Sequence, residues 1–236
     1  MASSMSASIE QINWKELGVL TEETTFNEIL IIYIFSTLGF ILFYYVVKMY
    51  FSSFMMALLG KDSHYFGLQE KAKREYYSRV VADLHSAISA PLSTYVCFYC
   101  CDDPNENIFS STECLLKPHR LQVIVIAIST GYVTYDTFIC IKELDYTLKS
   151  GGDFIAHHIV GIIGALAVLV AGRSNVALSA GNLVSEWTSF VMNQRWRMLK
   201  HKQTEGLPFL AVNALFFMSY IICRIVFMGT LLLRNY

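Results

Sequence analysis

The chain has 236 residues, of which 54% are hydrophobic and only 16% charged, a balance too apolar for an ordinary soluble domain, so a lipid bilayer is the expected solvent. A formal net charge of −1 leaves no basic surface to track a phosphate backbone, which excludes nucleic acid as a partner.

Residues 1–25 carry neither a basic segment nor an early apolar run, so they read as a hydrophilic tail and not as a cleaved leader. Trp14 and Leu17 are the side chains in that tail able to dock a partner. No lipidation motif or retrieval signal follows at either end.

Crossing about 30 Å of hydrocarbon takes about 20 mainly apolar residues, and six stretches have that length: 26–50, 78–101, 121–142, 153–172, 174–193 and 207–233. The fold class is therefore all-α, a polytopic membrane bundle of six transmembrane helices. The first stretch, "ILIIYIFSTLGFILFYYVVKMY", is the most purely apolar and is expected at the periphery.

The other five carry polar residues at helical spacing, and such residues normally face a bundle interior or a cavity. In the second stretch Arg79, Asp83, Ser86 and Ser93 share a face. It ends in "CFYCC", whose cysteines, with Cys114, support either a disulfide in an oxidising compartment or small buried thiols; no second paired motif points to zinc, and no metal is expected. In the third stretch Ser129, Tyr132, Asp136 and Cys140 align.

The fourth stretch contains "DFIAHHIVGIIG". Asp153, His157, Gly161, Gly164 and Ala165 fall on one face, while His158 points about 100° away, toward Phe154 and Ile162. His157 is thus expected inward and His158 in packing. After a turn of Gly172, Arg173 and Ser174, the fifth stretch places Ser179, Asn182, Glu186, Ser189 and Asn193 on one seam, followed by Arg195, which is suited either to an anionic headgroup or to anchoring at the membrane surface. The sixth contributes Asn213, Tyr220 and Arg224.

Lys and Arg fall twelve to five on the connectors after the odd-numbered stretches, which places those loops in the cytosol and both termini outside it. From the cytosolic helix ends, Asp83 and His157 lie roughly 6–8 Å deep, Asp136 about 9 Å and Glu186 about 12 Å, a single expected layer, with Arg224 about 25 Å along its helix. Two readings account for that layer: interhelical hydrogen bonds that hold the bundle, or groups facing the contents of a cavity.

The segments "SRVVADLHSAISAPLSTY", "GYVTYDTF", "DFIAHHIVGIIG", "LVSEWTSFVMNQRW" and "NALFFMSYIICRIVFM" resemble, in order and spacing, the TLC domain family, which includes ceramide synthases and the translocating-chain-associated membrane protein. The compact length looks most like the small TLC domain-containing proteins. The resemblance covers residues 70–236, leaving 26–50 as a separate first transmembrane helix, and implies a central cavity open to lipid. It also implies lipid-related roles and residence in the endoplasmic reticulum or another internal membrane.

In ceramide synthases the paired histidines serve acyl transfer from acyl-CoA to an amine, and they fall here on His157 and His158, with Asp136 or Glu186 as the orienting acid. The family's later His-Asp pair is absent, since Asn182 and Leu183 stand there, with Glu186 for the following acid. The expectation is therefore a protein that binds or handles an acyl chain or sphingolipid in an intramembrane cavity, without a cofactor, through Asp83, Asp136, His157, Asn182, Glu186, Asn193, Arg195 and Arg224. An N-acyltransferase using acyl-CoA as substrate through His157, His158 and Asp136 is the second reading. A structural subunit of a larger membrane complex is the third, and membrane lipids and a second copy of the chain are the other expected partners.

Overall fold

The computed structural model describes residues 26–60, 63–147, 149–171 and 174–235. The N-terminal tail, with Trp14 and Leu17, and the turn residues Gly172 and Arg173 lie outside the described residues.

The described chain is helical: α1 (Phe26–Leu59), α2 (Glu70–Tyr99), α3 (Thr112–Leu116), α4 (Arg120–Lys142), α5 (Gly152–Ala171) and α6 (Ser174–Asn182). A 3₁₀ turn over Leu183–Glu186 leads into α7 (Trp187–Lys200), and α8 (Gly206–Tyr220) passes through a π-helical stretch, Ile221–Phe227, into α9 (Met228–Asn235). Each expected span has a helical counterpart. Four are long and apolar enough to cross a membrane among the described residues: Phe26–Leu58, Arg120–Lys142, Gly152–Leu169 and Gly206–Arg234. The counterparts of the second and fifth, α2 and α6 with α7, carry the polar groups that the bundle encloses.

Local sequence explains where the helices start. Ser111 Oγ accepts the backbone N–H of Cys114 at 3.3 Å, and Gln122 Oε1 accepts that of His119 at 3.1 Å, each using an N–H that the first turn of its helix leaves without a partner. Within the membrane region, hydroxyls are satisfied by the preceding turn: Thr130, Thr134 and Thr137 of α4 donate to Ile126, Thr130 and Val133 carbonyls at 2.7–2.9 Å.

α2 and α4 form the middle of the bundle. α1 packs on both, α5 lies against α4 and α6, α7 against α2, and α8 against α7. α5 and α8 are not packed against one another among the described residues.

The first span is peripheral as expected, with Phe35, Leu42 and Met49 exposed along it, but its inner side is closely packed. α1 makes the most extensive helix contact in the molecule, with α4, and buries Ile29, Phe40, Tyr44, Val47 and Met55. Gly131 explains the closeness: a Cβ there would stand 2.7 Å from Ser36 Cβ and 3.0 Å from the Tyr33 carbonyl and Thr37 amide. Polar pairs stitch the two helices along their length, with Glu28 to Arg120 at one end, Tyr33 to Thr134 midway, and Glu143 holding Lys48 at 2.7 Å and Tyr45 at 3.3 Å at the other. A long apolar helix looks alike on all sides in sequence, so the packed side emerges only from the small residue on its neighbour.

At the opposite end from Glu143, Cys101 and Cys114 form a disulfide across the loop after α2. This is the pairing with Cys114 that was open in the sequence, with Cys101 as the partner; Cys97, Cys100, Cys140 and Cys223 are free thiols.

Candidate functional site

The polar residues of the interior fall into three groups. The first joins α2 to α7. Asp83 accepts from Asn193 Nδ2 at 2.8 Å and from the Arg197 guanidinium, while Arg79 donates to Asn193 Oδ1 at 2.9 Å and lies 4.4 Å over the Trp196 ring. Glu75 takes Arg79 at 3.3 Å and Lys200 at 3.5 Å. Asp83 and Asn193, expected to face cavity contents, spend their hydrogen-bonding capacity on each other and on two arginines. They clamp two helices.

The second group joins α4 to α5. Asp136 is buried, accepts from Ser78 at 3.2 Å, and has Oδ2 3.7 Å from His158 Nε2. His158 Nδ1 lies 3.2 Å from Thr137 Oγ1. In the tautomer that keeps the Thr137 hydroxyl bonded to the Val133 carbonyl, the Thr137 oxygen accepts from the imidazole Nδ1–H. That leaves the Nε2 lone pair aimed toward Asp136 at a distance beyond a direct hydrogen bond. Chemically, this is an imidazole base with a carboxyl group beside it.

The inward histidine is therefore His158, and the assignment of His157 to the inward face is corrected: His158 is buried, whereas His157 is exposed. α5 packs through Ile155, His158 and Leu169, its bulky side, and leaves the face of His157, Gly161 and Gly164 open, with nothing within 4 Å of a Cβ at either glycine. Helical spacing separates the two faces but does not say which one meets the neighbour. What α4 presents decided it, since Asp136 and Thr137 meet His158 there.

The third group gathers Ser86, Ser129, Tyr132 and Glu186, all expected from the sequence, around a residue that sequence reasoning missed, His85. His85 of α2 is 1% exposed, stacked on Tyr132 at 3.9 Å between ring centroids with planes 4° apart, and edged by Phe40. Its Nε2 lies 3.2 Å from Ser129 Oγ, which in turn is 3.1 Å from Ser89. Its Nδ1 has no hydrogen-bond partner and lies 3.7 Å from Glu186 Oε2, which accepts from Ser86 at 3.2 Å. The signal was present in Ser78, His85 and Ser89, spaced by seven and four along one helical face. The neighbouring face of Asp83 and Ser86 drew attention instead because it carries the carboxylate.

The four ionisable groups expected in one layer thus have separate partners: Asp136 faces His158, Glu186 faces His85, Asp83 holds Arg197, and His157 is exposed. Ser78, beside Asp136, and Ser86, beside Glu186, are eight residues apart on α2, a rise of about 12 Å.

Three further expectations resolve individually. Asn182 is exposed and off the seam, because the 3₁₀ turn that follows winds at about three residues per turn and breaks the α-helical register between Ser179 and Glu186. Arg195 donates from Nε to Asn213 Oδ1 at 2.7 Å, tying α7 to α8. Arg224 sits in the π-helical stretch, exposed, 5.7 Å from the Tyr220 ring centroid. Among the described residues no three His, Cys, Asp or Glu side chains converge as metal ligands.

Comparison with known proteins gives one family: the TLC domain, described as TRAM_LAG1_CLN8, matches residues 76–236. No solved structure matches the chain.

Proposed function

This chain belongs to the TLC domain family and is an integral, multi-pass membrane protein, and on that premise we propose that it binds the acyl chain of a membrane lipid or sphingolipid against the open face of α5 and so influences membrane lipid composition or transport. The observation that carries the reading is the two-sided exterior of α5. One exposed side bears Ile159, Ile163 and Leu166, as a helix facing bulk lipid should. The other bears His157, Gly161 and Gly164, small and polar, with open space over the glycines. A polar group facing hydrocarbon is costly, so that face is suited to a specific occupant. A methylene chain laid over the glycines would gain close dispersion contacts with the exposed helix, with a polar head near His157, a partner that bulk hydrocarbon does not supply.

The disulfide supports an oxidising compartment on the side of the α2 to α4 loop, and the Lys and Arg excess supports the cytosol on the other, which together favour six crossings with both termini non-cytosolic in the endoplasmic reticulum or a similar internal membrane.

Gly164→Leu tests the reading. A Cβ there meets nothing within 4 Å, so the melting temperature in detergent should hold, while native mass spectrometry should show less co-purifying lipid, because the leucine fills the space that the chain would occupy. Lipid retained at wild-type occupancy would remove the groove from consideration.

The His158 tautomer favours one second reading, an acyl-CoA-dependent N-acyltransferase. There Nε2 would take a proton from an attacking amine as the thioester carbon–sulfur bond breaks and CoA thiolate leaves, with Asp136 steadying the imidazolium and His157 at the open face. Labelled acyl-CoA and a sphingoid base should then yield amide with the wild type, and His158→Ala should lower the rate at least about 100-fold. The absence of turnover across several amines and chain lengths would leave lipid binding alone.

A further inference from the structure

A cleft outside the lipid-facing groove lies where α7 ends and the connector between α1 and α2 passes beneath it. It has a volume of about 530 Å³ and is bordered by Ser63, His64, Gln194, Arg197, His201 and Gln203, with Tyr76 in its wall. Among the described residues, every polar lining side chain can donate a hydrogen bond and none that lines the cleft is acidic.

The local chain explains how these groups converge. α7 ends in a Schellman arrangement: Lys202 N–H bonds to the Leu199 carbonyl at 3.1 Å and Gln203 N–H to the Met198 carbonyl at 2.9 Å, with Lys202 at φ 56° where glycine is usual. The turn folds His201 and Gln203 back over the cleft and satisfies carbonyls whose partial charge would otherwise repel an anion. His201 Nε2 lies 3.4 Å from the Tyr76 hydroxyl, and His64 stands edge-on to His201 at 6.3 Å between ring centroids. Burial, with the nearby His64, holds the His201 imidazole below its usual range and so keeps it neutral. Arg197 commits one guanidinium nitrogen to Asp83, but its Nη1 donates only to Gln194 Oε1 at 3.2 Å, an exposed amide that is easily displaced.

We propose that this cleft binds a phosphomonoester, Arg197 Nη1 exchanging the Gln194 amide for a phosphate oxygen while His64, His201 and Gln203 donate around it. A cleft whose described lining combines several donors with one guanidinium fits such a group, because phosphate offers acceptors and pairs with arginine in a charge-assisted bond. The group arrives either on a lipid headgroup or on a soluble metabolite.

The test uses the full-length protein in neutral detergent, with dioctanoyl phosphatidic acid as the lipid probe, inorganic pyrophosphate as the soluble one and dioctanoylglycerol as the phosphate-free control. Saturable binding of either phosphate probe, and none of dioctanoylglycerol at the same site, is expected. Preference for phosphatidic acid assigns the lipid source, and equal binding of pyrophosphate the soluble one. Gln194→Glu, which sets a carboxylate on Arg197, should weaken binding at least about tenfold, and Gln194→Ala, which frees Nη1, should preserve or strengthen it, both with unchanged melting temperature. His201→Ala should weaken binding several-fold. No saturable binding of either phosphate probe, or binding indifferent to Gln194→Glu, overturns the proposal. The pyrophosphate arm reads independently of acyl-chain binding against the open face of α5, so either reading can fail without the other.

Discussion

Gly131→Leu is expected to be the most damaging single substitution in the membrane bundle, lowering the melting temperature in detergent by enough to prevent recovery of a monodisperse protein. A Cβ at this position already lies 3.0 Å from the α1 backbone at Tyr33 and Thr37, and backbone cannot rotate away as a side chain can. The four extra carbons of leucine would force α1 off α4 along its tightest contact. Overpacking in a filled core costs about 1–3 kcal/mol when side chains can adjust, and more where backbone must move. Separation would also strain the Glu143 pairing with Lys48 and Tyr45. Gly131→Ala should be milder, because Ser36 Cβ at 2.7 Å can be relieved by a small shift of α1. Gly164→Leu is the natural control, since an equal increase in volume at an open position should leave the melting temperature near wild type. If Gly131→Leu melts like wild type, the close approach of α1 and α4 is wrong.

Asp83→Ala is the second large effect. It leaves Arg197 and the Asn193 amide without their shared acceptor, in surroundings where both members of the ion pair keep only about a fifth of their side-chain exposure. Removing one partner of a fully buried pair costs about 3–5 kcal/mol, and the remaining exposure argues for the lower part of that range. The loss should not be additive with Arg197→Ala, because the double variant no longer encloses an unpaired guanidinium. A thermal-denaturation cycle on the four proteins should show coupling of about 1–3 kcal/mol. Additive losses would mean that Asp83 does not clamp α7 and that its expected role facing a ligand should be restored.

The contrast between His157 and His158 shows where reading the sequence stops. Placing the two residues on faces about 100° apart needed only helix geometry. Assigning one face to the interior needed to know what α4 presents, namely Asp136 and Thr137, and that knowledge lies 21 residues away in the chain. His85 shows the same limit differently. Its burial is explained by Tyr132, Ser129 and Glu186, from α4 and the turn before α7, and none of these is within 40 residues of it. Asn182 was misplaced because a continuous α-helix was assumed through the 3₁₀ turn, where a step of three or four no longer returns to the same face.

By itself the sequence determined what depends on composition and local periodicity: the membrane as solvent, helices as the only secondary structure, the residues that each helix sets on a common face, and the family. Lipid solvates no backbone polar groups, so apolar length alone forces a helix. The tertiary structure alone decided which polar groups meet: Asp83 with Arg197 and Asn193, Asp136 with His158, and Glu186 beside His85. It also decided that α1 closes on α4 through Gly131 and that α5 keeps a small, polar face uncovered. Helices in lipid are not held together by a hydrophobic drive from water, so their partners are chosen by side-chain fit and interhelical hydrogen bonds, which are properties of two helices at once and of neither sequence alone.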